Sequence, residues 1–435
     1  MEINSVWSDT VDRPHFAVQE GDLKTDVLVI GGGMTGILCA HRLRRAGVSC
    51  LLVEADRICG GITKNTTAKI TVQHGLIYDR MLRRFGEERA RMYLTSQMSA
   101  LDEYRTLCRE VDCNFEERDS YVYSTGDRPK LEREVTAIRR IGGEATYEQD
   151  LPLPLRTAGA VCIPRQAQFH PLKFAYAIAA DLPILENTRV VEVRGNVAIT
   201  NRGRIRAERI IVATHFPFIN KHGGYFFKMY QHRSYVLGLE GAPDVDGMYV
   251  DEASTGLSFR SYGGLLLFGG GGHRTGKQGG GWQELSDFAV RHYPEAREVY
   301  RWATQDCVTL DDVPYIGRYA KGTPNLYVAT GYNKWGMTSS MVAASLLADL
   351  VQDRENPYAE VYDPSRRMLR PRLASHALET TVSLLMPTAP RCPHMGCALK
   401  YNRQEHTWDC PCHGSRFERD GTLIDNPATG DKPFQ

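Results

Sequence analysis

Residues 26–54, DVLVIGGGMTGILCAHRLRRAGVSCLLVE, constrain the fold of this chain more than any other stretch. Val27 to Ile30 form a short apolar run, as a strand buried on both faces does. Gly31, Gly33 and Gly36 follow as G-x-G-x-x-G, and Ile37 to Arg45 carry apolar residues at helical spacing. VSCLLVE reads as the next strand and ends in Glu54, 18 positions after Gly36. The glycines alone are weak evidence. Strand, glycines, helix, strand and terminal acid within one βαβ unit are strong evidence, because each part has a task. Gly31 permits the tight turn, Gly33 lets a pyrophosphate reach the backbone, and Gly36 lets the helix pack closely on the strand. The helix start at Met34 and Thr35 offers N–H groups to phosphate oxygens. Glu54, followed by Ala55, stands ready to accept hydrogen bonds from ribose hydroxyls.

A chain of 435 residues has room for two or three domains. Its 53 Lys plus Arg nearly cancel its 52 Asp plus Glu, so no net field recruits nucleic acid or anionic lipid. MEINSVWSDTVDRPHF has no export signal, and no apolar run is long enough to span a membrane, so the cytoplasm is the expected compartment. Structural disulfides are uncommon there. Seven of the eleven cysteines (Cys39, Cys50, Cys59, Cys108, Cys113, Cys162, Cys307) are scattered and read as small buried side chains. The other four are clustered.

Three later stretches decide which dinucleotide the βαβ unit serves. ICGGITKNTTAKITVQHG (58–75) is a second Gly/Thr/Lys-rich loop that contains Thr66, Thr67, Ala68 and Lys69. RIRAERIIVATHF (204–216) reads as a strand ending at Ala213 and Thr214, with Val190 upstream of it. NLYVATGYNKWGMTSSMVAASLLADLV (325–351) is a strand, then Gly331 and Lys334, then a helix opening near Gly336, Met337 and Thr338. A cofactor touched by the first forty residues, a mid-chain strand and a late helix belongs to an interleaved fold.

With these stretches, GITKNTTAKITVQHGLIY, TLDDVPYIG (309–317) and VATGYNKWGMTSS (328–340), the chain resembles FAD-dependent oxidoreductases related to glycine oxidase, sarcosine oxidase and D-amino-acid oxidase. It is most similar to a branch carrying a Rieske domain after the flavin domain. The resemblance implies an α/β, Rossmann-like FAD-binding domain interleaved with an α+β antiparallel-sheet substrate domain, then a small all-β Rieske cluster-binding domain. The expected boundaries are 1–79, 151–215 and 306–377 for FAD binding, 80–150 and 216–305 for substrate, and 378–435 for a shortened Rieske domain.

The clustered cysteines fit that branch. Cys392-x-His394, fifteen residues (395–409) and Cys410-x-x-His413 supply two mixed Cys/His pairs, as a Rieske [2Fe–2S] centre needs. A structural zinc site is the rival, although zinc fingers pair Cys with Cys and His with His. Resemblance to Rieske domains further implies a disulfide between Cys397 and Cys412 and a hydrogen bond from Ser415 to a bridging sulfur. Phe417 stands where high-potential relatives carry a tyrosine donor, which places the expected potential below the top of the Rieske range. The thirteen histidines include no H-x₄-H pair, so a mononuclear-iron Rieske oxygenase is set aside.

FAD accepts a hydride and a [2Fe–2S] cluster carries one electron, so together they convert hydride chemistry into single-electron output. Lys69 and His273 are the candidate catalytic residues. His74, Asp311, Asp312, Arg233, Tyr235, Tyr249, Phe259 and Arg260 are weaker pocket candidates, for which packing or turn roles account as well. The leading reading is oxidation of a small amine or amino acid, with electrons leaving to an external acceptor. Two others stay open: a biosynthetic flavoenzyme receiving electrons from an external donor through the cluster, and a non-catalytic electron-transfer or redox-sensing protein. Neither nucleic acid nor a membrane span is expected.

Overall fold

The computed structural model describes residues 3–254, 256–366 and 390–433. Its backbone is built on three sheets. The first grows from the fingerprint strand Leu23–Ile30, which pairs in parallel with Cys50–Val53 on one side and Gly203–Val212 on the other. Ile184–Glu186 extends the sheet past Cys50–Val53, and Leu326–Thr330 lies parallel to the second half of Gly203–Val212. Val27, Leu28, Val29 and Ile30 are at most 4% exposed, as a strand covered on both faces requires. Helix Met34–Arg45 packs on this layer beside Gly336–Leu350, whose residues are apolar nearly all round and correspondingly buried.

The second sheet is mainly antiparallel. Its order is Arg297–Thr309, Met229–Glu240, Leu265–Arg274, Ser258–Tyr262, Met248–Asp251, Glu116–Tyr123, Ala160–Gln168 and Lys69–Ile70. Helices Glu87–Cys108 and Arg128–Arg140 belong to the same half of the chain, and the first packs against Gly336–Leu350. Sheet membership moves the expected boundaries. Ala160–Gln168 and Lys69–Ile70, placed by sequence in the FAD segments, pair within the second sheet. Arg297–Thr309 runs past the expected end at 305. The cause is long-range antiparallel pairing, which no local pattern encodes.

Four short strands, Lys400–Asn402, Thr407–Asp409, Arg416–Phe417 and Leu423–Asp425, form the third, antiparallel sheet. Its small core is made of Cys392, Cys397, Leu399, Cys410, Cys412, Phe417 and Ala428. Among the described residues this core is small, and the sheet docks closely on the rest. A Cβ on Gly276 would lie 2.6 Å from Pro411 Cα, and one on Gly414 would lie 2.5 Å from the Gln231 Cβ. The expected boundary at 377/378 lies outside the described residues.

Candidate active site and cluster centre

The three glycines have separate duties. Gly31 has φ +111°, and a Cβ there would lie 2.6 Å from the Ala213 carbonyl, so it joins the first strand to Gly203–Val212. A Cβ on Gly36 would fall 1.8 Å from the Gly31 carbonyl, which presses the helix onto the turn. At Gly33 the nearest atom to an added Cβ is Thr63 Oγ1, at 3.4 Å, and the remaining space is open cavity. That is a cradle that a side chain would fill and a pyrophosphate fits. Glu54 braces the turn: Oε2 accepts from the Gly32 N–H at 2.7 Å and Oε1 from the Asp56 N–H at 3.0 Å. Burial raises its pKa, and these donors oppose the shift.

A cavity of about 730 Å³ runs from this turn to the second sheet. Gly31, Gly33, Met34, Thr35, Glu54 and Ala55 line it at one end. Thr66, Thr67 and Lys69 line it from the second loop, and Val190, Ala213 and Thr214 from mid-chain. Gly331, Lys334, Gly336 and Met337 close it from the late strand and helix. The size and the turn geometry fit FAD.

Four of the residues expected at the flavin site do not line the cavity. Gly36 lies beneath the turn. Ala68 is fully buried, and its carbonyl accepts from Arg260. Thr338 donates to the Thr71 carbonyl at 3.1 Å and contacts His74. His273, expected to be catalytic, stacks on Tyr235 with ring centroids 5.7 Å apart. It pairs with Arg233 in the sheet register, on the side that meets the third sheet rather than the cavity. Of the weaker candidates, Arg260 holds the loop through the Thr67 and Ala68 carbonyls. Arg233 and Tyr235 bind Glu405, Tyr249 stacks on Tyr121, and Phe259 is core. Asp311 and Asp312 pair with Arg366 and Arg80. His74, Tyr235 and Asp312 line the cavity, and His74 is stacked on Trp335 and hydrogen-bonded to the Tyr93 hydroxyl. His232 and Asp306 also line it and were not expected.

Lys69 is a cavity-lining cation held well below its usual range. Burial, then the charge of Arg260, pushes its pKa down to about 7, and Nζ donates to Thr67 Oγ1 at 3.2 Å.

The cluster centre is built from two loops of like design. In each, the leading cysteine N–H donates to the carbonyl five residues on (Cys392 to Cys397, Cys410 to Ser415). A glycine four residues on, Gly396 or Gly414, takes a left-handed φ and donates back to the leading cysteine. The loops bring the Cys392 and Cys410 thiols into hydrogen-bonding contact, with the Ser415 hydroxyl also against Cys392. His394 and His413 lie with ring centroids 4.9 Å apart at 84°. His394 Nδ1 is buried without a hydrogen-bond partner, the position of a nitrogen that ligates iron. The donor set therefore fits a [2Fe–2S] centre.

The bridge implied for Cys397 and Cys412 is not closed in this structure. Their sulfurs and that of Cys410 lie within 4.8 Å of one another, and the Cys397 thiol contacts both of the others.

The third sheet completes the cavity. Ile424, Asp425, Asn426, Ala428 and Thr429 line it beside Thr214 and His215. Asn426 Nδ2 donates to the carbonyls of Thr214 and Phe216, at 2.5 and 2.8 Å. The Phe216 ring meets His413 edge-on, with centroids 6.4 Å apart. Glu405 is clamped by Arg233 and Arg416, and Gln231 and Gln305 donate to the His413 and Gly414 carbonyls.

Residues 26–350 match the family model described as FAD dependent oxidoreductase (DAO). The chain belongs to that family. Residues 385–433 match the Rieske [2Fe-2S] domain. The chain is 35% identical to the Rieske 2Fe-2S iron-sulfur protein YhfW of Bacillus subtilis (strain 168), over 97% of this chain and 95% of that protein. It is 24% identical to gamma-glutamylputrescine oxidoreductase of Escherichia coli (strain K12), over 78% of this chain and 86% of that one. The fold is shared with glycine oxidase from Geobacillus kaustophilus, at TM-score 0.66, 20% identity, and coverage of 80% of this chain and all of that one. The protein is thus an FAD-dependent oxidoreductase with a Rieske domain; the first domain binds FAD and the second a [2Fe–2S] cluster. Among the described residues no helix is long and apolar enough to cross a membrane.

Proposed function

We propose that this protein oxidises a small amine or amino acid and delivers the electrons one at a time to an external acceptor through the Rieske domain. Bound FAD supplies hydride acceptance, and the cluster supplies one-electron transfer. The carrying observation is that Ile424, Asp425, Asn426, Ala428 and Thr429 of the Rieske segment wall the cavity that also holds the glycine cradle. Thr214 stands at the cavity, and Phe216, two residues on, packs against His413. Substrate entering that space meets Lys69, which at its lowered pKa can take a proton from an ammonium group. The names of two relatives, gamma-glutamylputrescine oxidoreductase and glycine oxidase, support an amine or amino-acid substrate. In this reading Gly31, Gly33, Met34, Thr35 and Glu54 hold FAD, and Cys392, His394, Cys410 and His413 hold the iron. The disulfide of Cys397 and Cys412 belongs to the same proposal, as does a cytoplasmic setting.

An anaerobic screen of amines and amino acids by rapid-mixing absorbance tests it. The flavin band should fall first and the cluster signal afterwards, within one molecule. The His413→Ala protein should keep flavin reduction and lose turnover with a one-electron acceptor. Turnover at the native rate without the cluster would refute the relay.

A further inference from the structure

The cavity wall opposite the glycine turn is the face of the second sheet. Side chains alternate along strands, so Tyr230, His232 and Ser234 face the cavity from one strand and Thr304, Asp306 and Val308 from its neighbour. The register sets His232 directly opposite Asp306. Gly272 makes room for the imidazole, since a Cβ there would lie 2.7 Å from its Cε1. His232 is 6% exposed, and its Nδ1 is buried with no hydrogen-bond partner among the described residues. Burial lowers its pKa to about 3, so the ring is neutral.

Lys334 reaches the same place from the loop before helix Gly336–Leu350. Its φ of 76° turns the chain there, and Nζ donates to the Ser254 carbonyl at 3.0 Å. Its charge acts on both Asp306 and His232. Among the described residues neither Asp306 nor Lys334 is in an ion pair within 4.0 Å. Burial raises the Asp306 pKa to about 6, against the opposing charges of Lys334 and Arg233. A carboxylate and an ammonium facing one cavity, yet out of contact with each other, are costly unless a ligand answers both.

We propose that Lys334, Asp306 and His232 form the head-group subsite for a zwitterionic amino acid. Lys334 takes the carboxylate, Asp306 the ammonium, and His232 Nδ1 accepts one ammonium hydrogen. The proposal rests on the amine-oxidising reading and narrows it to substrates that carry both charges.

Equilibrium binding to the oxidised holoprotein, read from the flavin absorbance bands, tests it with three probes that have no oxidisable C–H beside nitrogen. These are 2-aminoisobutyrate with both charges, pivalate with the carboxylate alone, and tert-butylammonium with the ammonium alone. The zwitterion should bind at least about tenfold tighter than either fragment. Lys334→Met should weaken 2-aminoisobutyrate and pivalate by about 30-fold and leave tert-butylammonium unchanged, whereas Asp306→Asn should weaken 2-aminoisobutyrate and tert-butylammonium and leave pivalate unchanged. Lys334→Arg should restore most of the lost affinity. If Asp306→Asn fails to retain flavin, the Lys334→Met and Lys334→Arg pair decides the matter. Unchanged affinities in the lysine variants, or a zwitterion that binds no tighter than its fragments, overturn the subsite. Tight, Lys334-dependent binding of 2-aminoisobutyrate alongside failure of every amine and amino acid to bleach the flavin would uphold the subsite and refute the reaction.

Discussion

Asn220 Oδ1 accepts a hydrogen bond from His394 Nε2 at 2.9 Å, so a residue from outside the Rieske segment orients the ring whose other nitrogen is the candidate iron ligand. An acceptor on the far nitrogen makes an imidazole a stronger electron donor. Asn220→Leu should therefore raise the cluster's reduction potential while leaving flavin content unchanged. A redox titration followed by EPR checks the direction; an unchanged or lowered potential would count against the contact.

Gly33 and Gly36 should fail in different ways. A side chain at Gly33 meets open space, whereas one at Gly36 collides with the Gly31 carbonyl. Gly33→Val should give a folded protein with little or no FAD. Gly36→Ala should give insoluble or unfolded chain. Flavin content and circular dichroism of the two variants separate these outcomes.

Glu405 is a buried carboxylate at the domain contact. Burial alone would raise its pKa, but the charges of Arg233 and then Arg416 bring it down to about 2. A depressed folded-state pKa gives stability that is complete above the unfolded value of about 4.3 and is lost as pH falls toward 2. Melting temperature should fall through that window in the native protein, with a smaller drop in Glu405→Gln. At neutral pH that variant takes the carboxylate from buried Arg233, while Arg416 keeps Asp409 and Asp425, and should lose about 3 kcal/mol.

Lys69 should give the reductive half-reaction its pH profile. With its pKa lowered to about 7, the neutral amine, the form that accepts a proton, gains population as pH rises through that value. Flavin reduction by substrate should accelerate across the same range. Lys69→Met should remove that limb and slow reduction by roughly 100-fold. Stopped-flow rates between pH 6 and 9 decide it, and an identical profile in the variant would exclude Lys69 as the base.

What the sequence made legible was local. Gly31, Gly33 and Gly36 follow their strand within six residues, and the Cys-Pro pairs with Gly396 and Gly414 mark the two cluster loops. His232 and Asp306 were missed because they meet only when two strands pair across 74 positions. Each is a single polar residue in a β-like run, and nothing nearby shows which face it takes. The same blindness misassigned His273: it stands close in sequence to cavity-lining Gly272, and strand alternation turns it to the other side. Ala160–Gln168 was likewise placed with the FAD-binding segments because its partners, Glu116–Tyr123 and Lys69–Ile70, lie far away in the sequence.

Backbone lies almost against backbone where Gly276 meets Pro411, and Gly414 presses on Gln231. A carrier seated this way has no swing. In the proposed relay it would work as a fixed terminal and not as a courier that collects charge at one place and releases it at another. Traffic at such a terminal would be set by arrivals, so the delivery rate should scale with the acceptor's concentration and encounter frequency. In the proposed relay, the exposed rim at Met395, beside His394, would be the surface on which those arrivals are counted.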